Sequence, residues 1–144
     1  MKLIFTIPDK PFGKQRPRHT QGGHTYTPSE TREREQLVAW AYRQQCGNFR
    51  FPEKTPIDLR VFAYYQIPKS ASKRERELMI SGAIRPLLKP DYDNFAKLVT
   101  DALNGIAYDD DKSVVDAVQR KFYSTDPRVV VVIQEAKLTA PPNL

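Results

Sequence analysis

Apolar positions along the chain change their period from segment to segment, and each period predicts an element. Residues 2–7 (Lys-Leu-Ile-Phe-Thr-Ile) have the β-branched and aromatic content of a short strand. Farther on, Leu37, Val38, Ala41 and Tyr42 recur at helical spacing, with Trp40 on the flank. Thr27-Pro28-Ser29-Glu30 announces that helix with a threonine cap, a proline at the first helical position and a glutamate three residues after the cap, and Gly47 ends it. From Pro56 the period falls to two: Ile57, Leu59, Val61, Ala63 and Tyr65 share one face of a strand, and Asp58, Arg60 and Phe62 the other. Ser72-Lys73-Arg74-Glu75 is a second capping box, opening a short charged helix that stops near Gly82 and has a narrow stripe of Leu78, Met79 and Ile80.

The clearest helix lies near 92–104, where Phe95, Leu98, Val99, Ala102 and Leu103 form a single core-facing stripe closed by Gly105. Two strands follow, at about 113–123 and 128–134. Asp126-Pro127 makes the turn between them, so they are expected to pair with each other antiparallel. Residues 8–28 and 82–90 read as proline-punctuated connections. The sum is a single α/β (mixed α+β) domain over residues 1–138, in which three helices pack a mixed sheet of about four strands. A flexible tail follows at 139–144.

Composition narrows the class. No apolar run approaches the ~18 residues of a membrane span, and the N-terminus lacks the long apolar core of a signal peptide. The lone Cys46 has no partner for an internal disulfide, so it is read as a buried or half-buried thiol of a soluble, cytoplasmic protein. The formal net charge of +6 is unevenly distributed. Residues 91–116 hold seven acids against two bases, net −5, which leaves 21 bases and 10 acids elsewhere, net +11. A basic body suits a polyanion, because every phosphate neutralised releases condensed counterions. The acidic island would repel that same polyanion unless a cation sat in it.

The island has two halves. Asp91 and Asp93 stand where an extended chain enters the 92–104 helix. Residues i and i+2 share a face of extended backbone, so both carboxylates can converge at the positive end of the helix. Lys97 follows Asp93 by one turn and can reach the same place, or can form an ordinary i,i+4 ion pair. Asp101, one turn later, reads as its partner, either structural or supporting the site from behind Lys97. The other half, Asp109-Asp110-Asp111, comes after the C-terminal end of the helix, where the dipole does not favour anions. Hard oxygen donors of this kind suit Mg²⁺, with Mn²⁺ as a substitute, rather than zinc. A calcium loop is disfavoured because Ala96 stands where its sixth-position glycine belongs. His19 and His24 have no cluster of ligands around them.

In combination, Lys89-Pro-Asp-Tyr-Asp-Asn-Phe-Ala-Lys97, Asp101-Ala-Leu-Asn-Gly105 and Tyr108-Asp-Asp-Asp-Lys-Ser-Val-Val-Asp116 resemble the RusA family of Holliday junction resolvases. Lys14-Gln-Arg-Pro-Arg18 and Thr25-Tyr-Thr-Pro28 are similar to the family's N-terminal region, so the resemblance covers nearly all of the chain except its tail. It implies a homodimeric, Mg²⁺-dependent endodeoxyribonuclease that cuts four-way DNA junctions by paired symmetric incisions. By matching position, Asp91, Asp93 and Asp111 would be metal ligands and Lys97 would assist at the phosphate. Three aspartates stand where the pattern needs two. Asp111 keeps the register with Val114-Val115-Asp116, and Asp110 is the alternative. Lys14, Arg16, Arg18, Arg85 and Lys89 are the expected contacts to the DNA backbone. The rival readings are a nuclease for other branched DNA or RNA, a nucleic-acid binder without catalysis, and a phosphohydrolase of small molecules. The basic body exceeds what the last of these requires.

Overall fold

The computed structural model describes residues 1–14, 18–19, 22, 25–26 and 29–144. The fold combines three helices with a four-stranded mixed sheet, as the periodicities predict. The long strands are β1 (Lys2–Ile7), β4 (Ile57–Gln66), β5 (Val114–Ser124) and β6 (Arg128–Glu135). The helices are α1 (Ser29–Cys46), α2 (Lys73–Ser81) and α3 (Tyr92–Leu103). The stretch read as a plain loop also contains a two-residue ladder, in which β2 (Arg18–His19) pairs antiparallel with β3 (Thr25–Tyr26). The threonine–proline start expected for α1 lies outside the described residues.

Local signals did much of the work. Ser72 accepts a hydrogen bond from the Glu75 N–H while Glu75 reaches back to the Ser72 N–H, completing the capping box of α2. Gly82 ends the helix at φ 84°, a left-handed conformation that glycine adopts without strain. The α3 stripe is buried as expected, and Ala96 joins it.

One pairing differs from expectation. The sheet order is β1-β6-β4-β5, so β5 and β6 do not pair; β4 lies between them, parallel to β5 and antiparallel to β6. The physical reason lies on the inner face. Ile57, Leu59, Val61 and Ala63 of β4 are completely buried and belong at the centre. The matching side of β5 presents Ala117, Gln119 and Lys121, which suits an edge. Crossing one intervening strand means covering roughly 10 Å, which the few residues around Asp126-Pro127 can span. The crossing is tied down by Ser124 Oγ, which accepts from the Asp126 N–H at 3.0 Å and from Arg128 Nη1 at 3.2 Å. At its other end β5 has one extra residue, Val115, which leaves a bulge opposite Ile57 and Asp58.

The core fills the space between the sheet and helices α1 and α3: Phe5, Val61, Val131 and Ile133 meet Val38, Tyr42, Phe95 and Val99. Phe5 and Tyr42 pack edge-to-face with centroids 5.4 Å apart. Each such side chain contributes about 1.5–3 kcal/mol by leaving water, and together they hold the start of α3 against the sheet. Among the described residues no helix is long and apolar enough to cross a membrane.

Candidate active site

Asp91 caps α3 with extended backbone (φ −65°, ψ 155°), but its side chain makes no capping hydrogen bond. The carboxylate is therefore left free of local backbone work. Asp93 occupies the first turn of the helix. Both are exposed, and among the described residues neither side chain has a hydrogen bond or ion pair.

The approach to Asp91 is held rigidly by the sheet. Tyr65 of β4 donates its hydroxyl hydrogen to the Pro90 carbonyl at 2.8 Å, behind a cis Lys89–Pro90 bond. Lys121 of β5 donates to the Leu88 carbonyl and lies with its ammonium 5.1 Å from the centre of the Tyr65 ring. Burial pushes the Tyr65 hydroxyl up to about 12, with the nearby Asp91 charge adding to the effect. From the other side, the Lys14 N–H donates to the Asn94 carbonyl at 3.2 Å. Gly13 lies so close that a Cβ there would stand 2.8 Å from Pro90 Cβ and 3.1 Å from Asn94 Cβ. Between these walls runs an open groove of about 870 Å³, lined among others by Lys10, Phe12, Lys14, Tyr65, Lys89 and Asp91.

Lys97 joins the two halves of the acidic island. Its ammonium donates to Asp111 Oδ2 at 3.0 Å and pairs with Asp101 Oδ1 at 3.1 Å. Hydrogen bonding to Asp111 and then to Asp101 holds its pKa above the ordinary lysine value. Asp101 Oδ2 is taken by Lys14, so the sequence-predicted Lys97–Asp101 pair is one link of a chain Lys14–Asp101–Lys97–Asp111. Glu35 of α1 lies near Lys14 and Asp101, and its carboxyl is pushed up chiefly by burial.

The loop aspartates have separate duties. Asp109 pairs with Arg50 at 3.0 Å. Asp110 accepts the Lys112 N–H at 2.9 Å and caps a single 3-10 turn, Asp111–Ser113; that backbone bond is the main reason its pKa lies below the usual carboxylate value. Asp111 faces Lys97. Beneath the loop, buried Tyr108 donates to the Thr100 carbonyl at 2.7 Å, and its hydroxyl is pushed up by burial and by the surrounding aspartates.

The predicted basic contacts are distributed unevenly. Lys14 and Lys89 line the groove. Arg85 lies over the Phe122 ring at 4.0 Å and donates from Nε to the Lys121 carbonyl at 2.6 Å. Phe122 in turn stacks on Tyr64, over which Arg128 sits at 4.0 Å. Arg16 and the Arg18 side chain lie outside the described residues. Lys10, part of the basic 10–18 loop expected to hold the DNA backbone, also lines the groove. Tyr65 and Lys121 were not expected at the site, and only the fold shows that these two strand residues reach the 85–90 connection.

Asp91 and Asp93 are uncommitted, and the side chain of Asp111 meets Lys97. As a donor set, all hard carboxylate oxygens, these residues fit a divalent cation such as Mg²⁺. Among the described residues no three His, Cys, Asp or Glu side chains are already drawn together as a cage.

Carboxylates at a helix start, a lysine on the same helix face and a groove with basic walls suit an enzyme that works on phosphate esters. Comparison with known proteins makes that specific: the family model described as endodeoxyribonuclease RusA matches residues 8–134. The chain belongs to the RusA family, and is thus an endodeoxyribonuclease of the Holliday junction resolving class, a phosphodiester hydrolase. It is also 39% identical over 141 residues to the uncharacterized protein YqaN of Bacillus subtilis (strain 168), an alignment that covers 92% of this chain and 96% of that one.

Proposed function

We propose that this enzyme resolves four-way DNA junctions by Mg²⁺-dependent, paired symmetric hydrolysis, acting as a homodimer in the cytoplasm. The observation that carries the reading is the Lys97–Asp111 contact. Asp93 and Lys97 are i and i+4 on one helix face, about 6 Å apart along the axis. Asp111 thus contacts a lysine of the helix face that also carries Asp93, and Asp91 at the helix start lines the lysine-bearing groove, which supports a shared cation site.

Asp91, Asp93 and Asp111 would hold the cation, with Asp111 favoured because Asp110 is occupied in capping its own turn. A bound Mg²⁺ supplies Lewis-acid polarisation of the scissile phosphate and acidifies a water. The remaining chemistry belongs to the chain itself. Lys97 presents a fixed positive charge to the phosphate oxygens as negative charge develops on them. Lys14 and Lys89 guide the strand along the groove, and Arg16, Arg18 and Arg85 extend the positive field without reading bases. Tyr65 and Lys121 keep the Leu88–Pro90 carbonyls in position, so the carboxylates do not shift as the strand is bound. Homodimerisation is supported by the sheet face turned away from α1 and α3, where half-buried Phe62, Val118, Val130 and Val132 lie and Ile4, across from Val132, is 55% exposed. Two copies related by a two-fold axis would address opposed strands of a four-way junction.

The test is Asp93→Asn, assayed on a four-way junction with and without Mg²⁺, beside binding of the same junction and cleavage of a flap, a linear duplex and a single strand. The expected result is cutting of the junction that is lost in the variant while binding persists. Full cutting by the folded variant would end the metal-site reading. Preferential cutting of flaps or single strands would reassign the substrate, and binding without any metal-dependent cutting would leave a binding protein.

A further inference from the structure

Asp101 is not one of the residues proposed above to hold the cation, yet it is the most heavily engaged carboxylate near the site. Its two oxygens are divided between two lysines: Oδ1 is 3.1 Å from Lys97 Nζ, and Oδ2 meets Lys14 Nζ. The side chain is only 16% exposed, whereas that of Lys97 is 55% exposed. Lys97 is thus shared by two anions, half-buried Asp101 at 3.1 Å and Asp111 at 3.0 Å. Lys14 arrives from 87 residues away and is kept near by the close packing of Gly13 on Pro90 and Asn94.

This sharing matters because Asp111 cannot serve Lys97 and a divalent cation equally. An ammonium on that carboxylate repels an incoming cation and occupies one of its oxygens. If Asp101 were absent, Asp111 would be the only carboxylate left to Lys97 in the chain of pairs. With Asp101 present, Lys97 has somewhere to go when Asp111 turns to a metal, and it stays beside the phosphate rather than swinging into solvent. Lys14 acts in the opposite sense, because it competes for Asp101 and so returns Lys97 to Asp111.

We infer that Asp101 is a positioning residue that draws Lys97 away from Asp111, so that Asp111 can take a divalent cation while Lys97 remains at the site. The inference rests on the proposed role of Asp111 as a cation ligand. It concerns how the site is tuned, and it needs no contact between Asp101 and either metal or DNA.

The experiment measures Mn²⁺ binding to the full-length protein without DNA, following free Mn²⁺ by electron paramagnetic resonance. Circular dichroism verifies the fold of each variant. In Asp101→Asn the dissociation constant should rise about 5-fold, within the range found for groups in direct contact. Asp101→Glu, which keeps the charge, should restore it to within about 2-fold. Because loss of a nearby negative charge would weaken cation binding by itself, the decisive comparison is made in a Lys97→Met background. There the Asp101→Asn effect should shrink below about 1.5-fold, since it acts through Lys97. An effect of undiminished size in that background overturns the inference. Lys14→Gln provides an independent arm should Asp101→Asn not fold: binding should tighten, and that gain should also vanish with Lys97→Met, persistence again counting against the mechanism. Wild-type protein that binds no Mn²⁺ sinks the metal reading together with this inference. Wild-type binding that Asp101→Asn leaves unchanged sinks the inference alone.

Discussion

Tyr65 and Pro90 are 25 residues apart in the chain, yet the tyrosine hydroxyl meets the proline carbonyl at 2.8 Å, one residue before Asp91. The central strand of the sheet thereby braces the backbone that carries the first carboxylate of the site. Tyr65→Phe removes the brace without opening a cavity. We expect a loss of about 1 kcal/mol of stability in urea denaturation, typical of one hydrogen bond. Junction cleavage should fall several-fold while junction binding changes little. Equal cleavage in the two proteins would show that the brace does not matter to the site.

The same tyrosine makes a pH prediction. Tyr65 and Tyr42 both have hydroxyls pushed from 10.0 up to about 12, mainly by burial. A raised pKa means that the folded state keeps its protons longer than the unfolded chain. The linked stability is fully present below pH 10 and is lost progressively as pH rises from there toward 12. Absorbance titration at 295 nm should show a late-ionising set of tyrosines, and thermal stability should decline over the same interval. Titration of every tyrosine near 10 in the folded protein would contradict this.

Asp58 gives a prediction at the acid end. It is 8% exposed and accepts two hydrogen bonds from Arg60, at 3.2 and 3.1 Å, and one from Gln134 at 3.1 Å. The Arg60 hydrogen bonds, above all, hold its carboxyl below the usual 3.8. A lowered pKa stabilises the fold above the ordinary carboxylate value, and that stabilisation is lost as pH falls through the folded one. Asp58→Ala should cost about 1–3 kcal/mol at neutral pH, because Gln134 loses its partner and half-exposed Arg60 loses its counter-ion. The gap from wild type, read from urea midpoints, should narrow as the pH is lowered below about 4.

Lys97→Met tests the anchored cation directly. If Lys97 acts on charge that develops during hydrolysis, kcat should drop by about 10²–10³. KM for the junction should change by less than about 3-fold, because Lys14 and Lys89 continue to line the groove. A rise in KM with kcat preserved would make Lys97 a binding residue instead.

Gly13→Val tests the docking of the N-terminal segment. The new side chain would collide with Pro90 and Asn94, where a Cβ alone stands 2.8 and 3.1 Å from its neighbours. Overpacking of this kind costs about 1–3 kcal/mol. The more specific readout is limited trypsin digestion, in which cleavage after Lys14 should accelerate relative to cleavage elsewhere. An unchanged digestion pattern would show that this segment is held by other contacts.

Sequence alone determined the elements and their faces. Alternation marked Ile57 through Tyr65 as an inward row, and helical spacing marked Phe95 through Leu103 as a stripe, because burial demands that apolar side chains share one side. The Ser72–Glu75 box and the stop at Gly82 were legible because they are satisfied within a few residues. The acidic island and its basic surroundings were likewise plain from composition, and the family resemblance was carried by contiguous motifs. Tertiary structure decided which strands became neighbours. A tight turn at Asp126-Pro127 argued for a β5–β6 hairpin, but periodicity does not record that β4, being wholly apolar within, takes the place between them. It also decided which charges met. Asp101 was identified as a partner of Lys97 from its spacing, whereas Lys14–Asp101, Lys97–Asp111 and Tyr65–Pro90 join residues that only the packing of α3 on the sheet brings together. Local backbone hydrogen bonds and side-chain periods are written in neighbouring residues. Ion pairs and strand partners are chosen across the chain, and many equivalent choices exist until the core has closed.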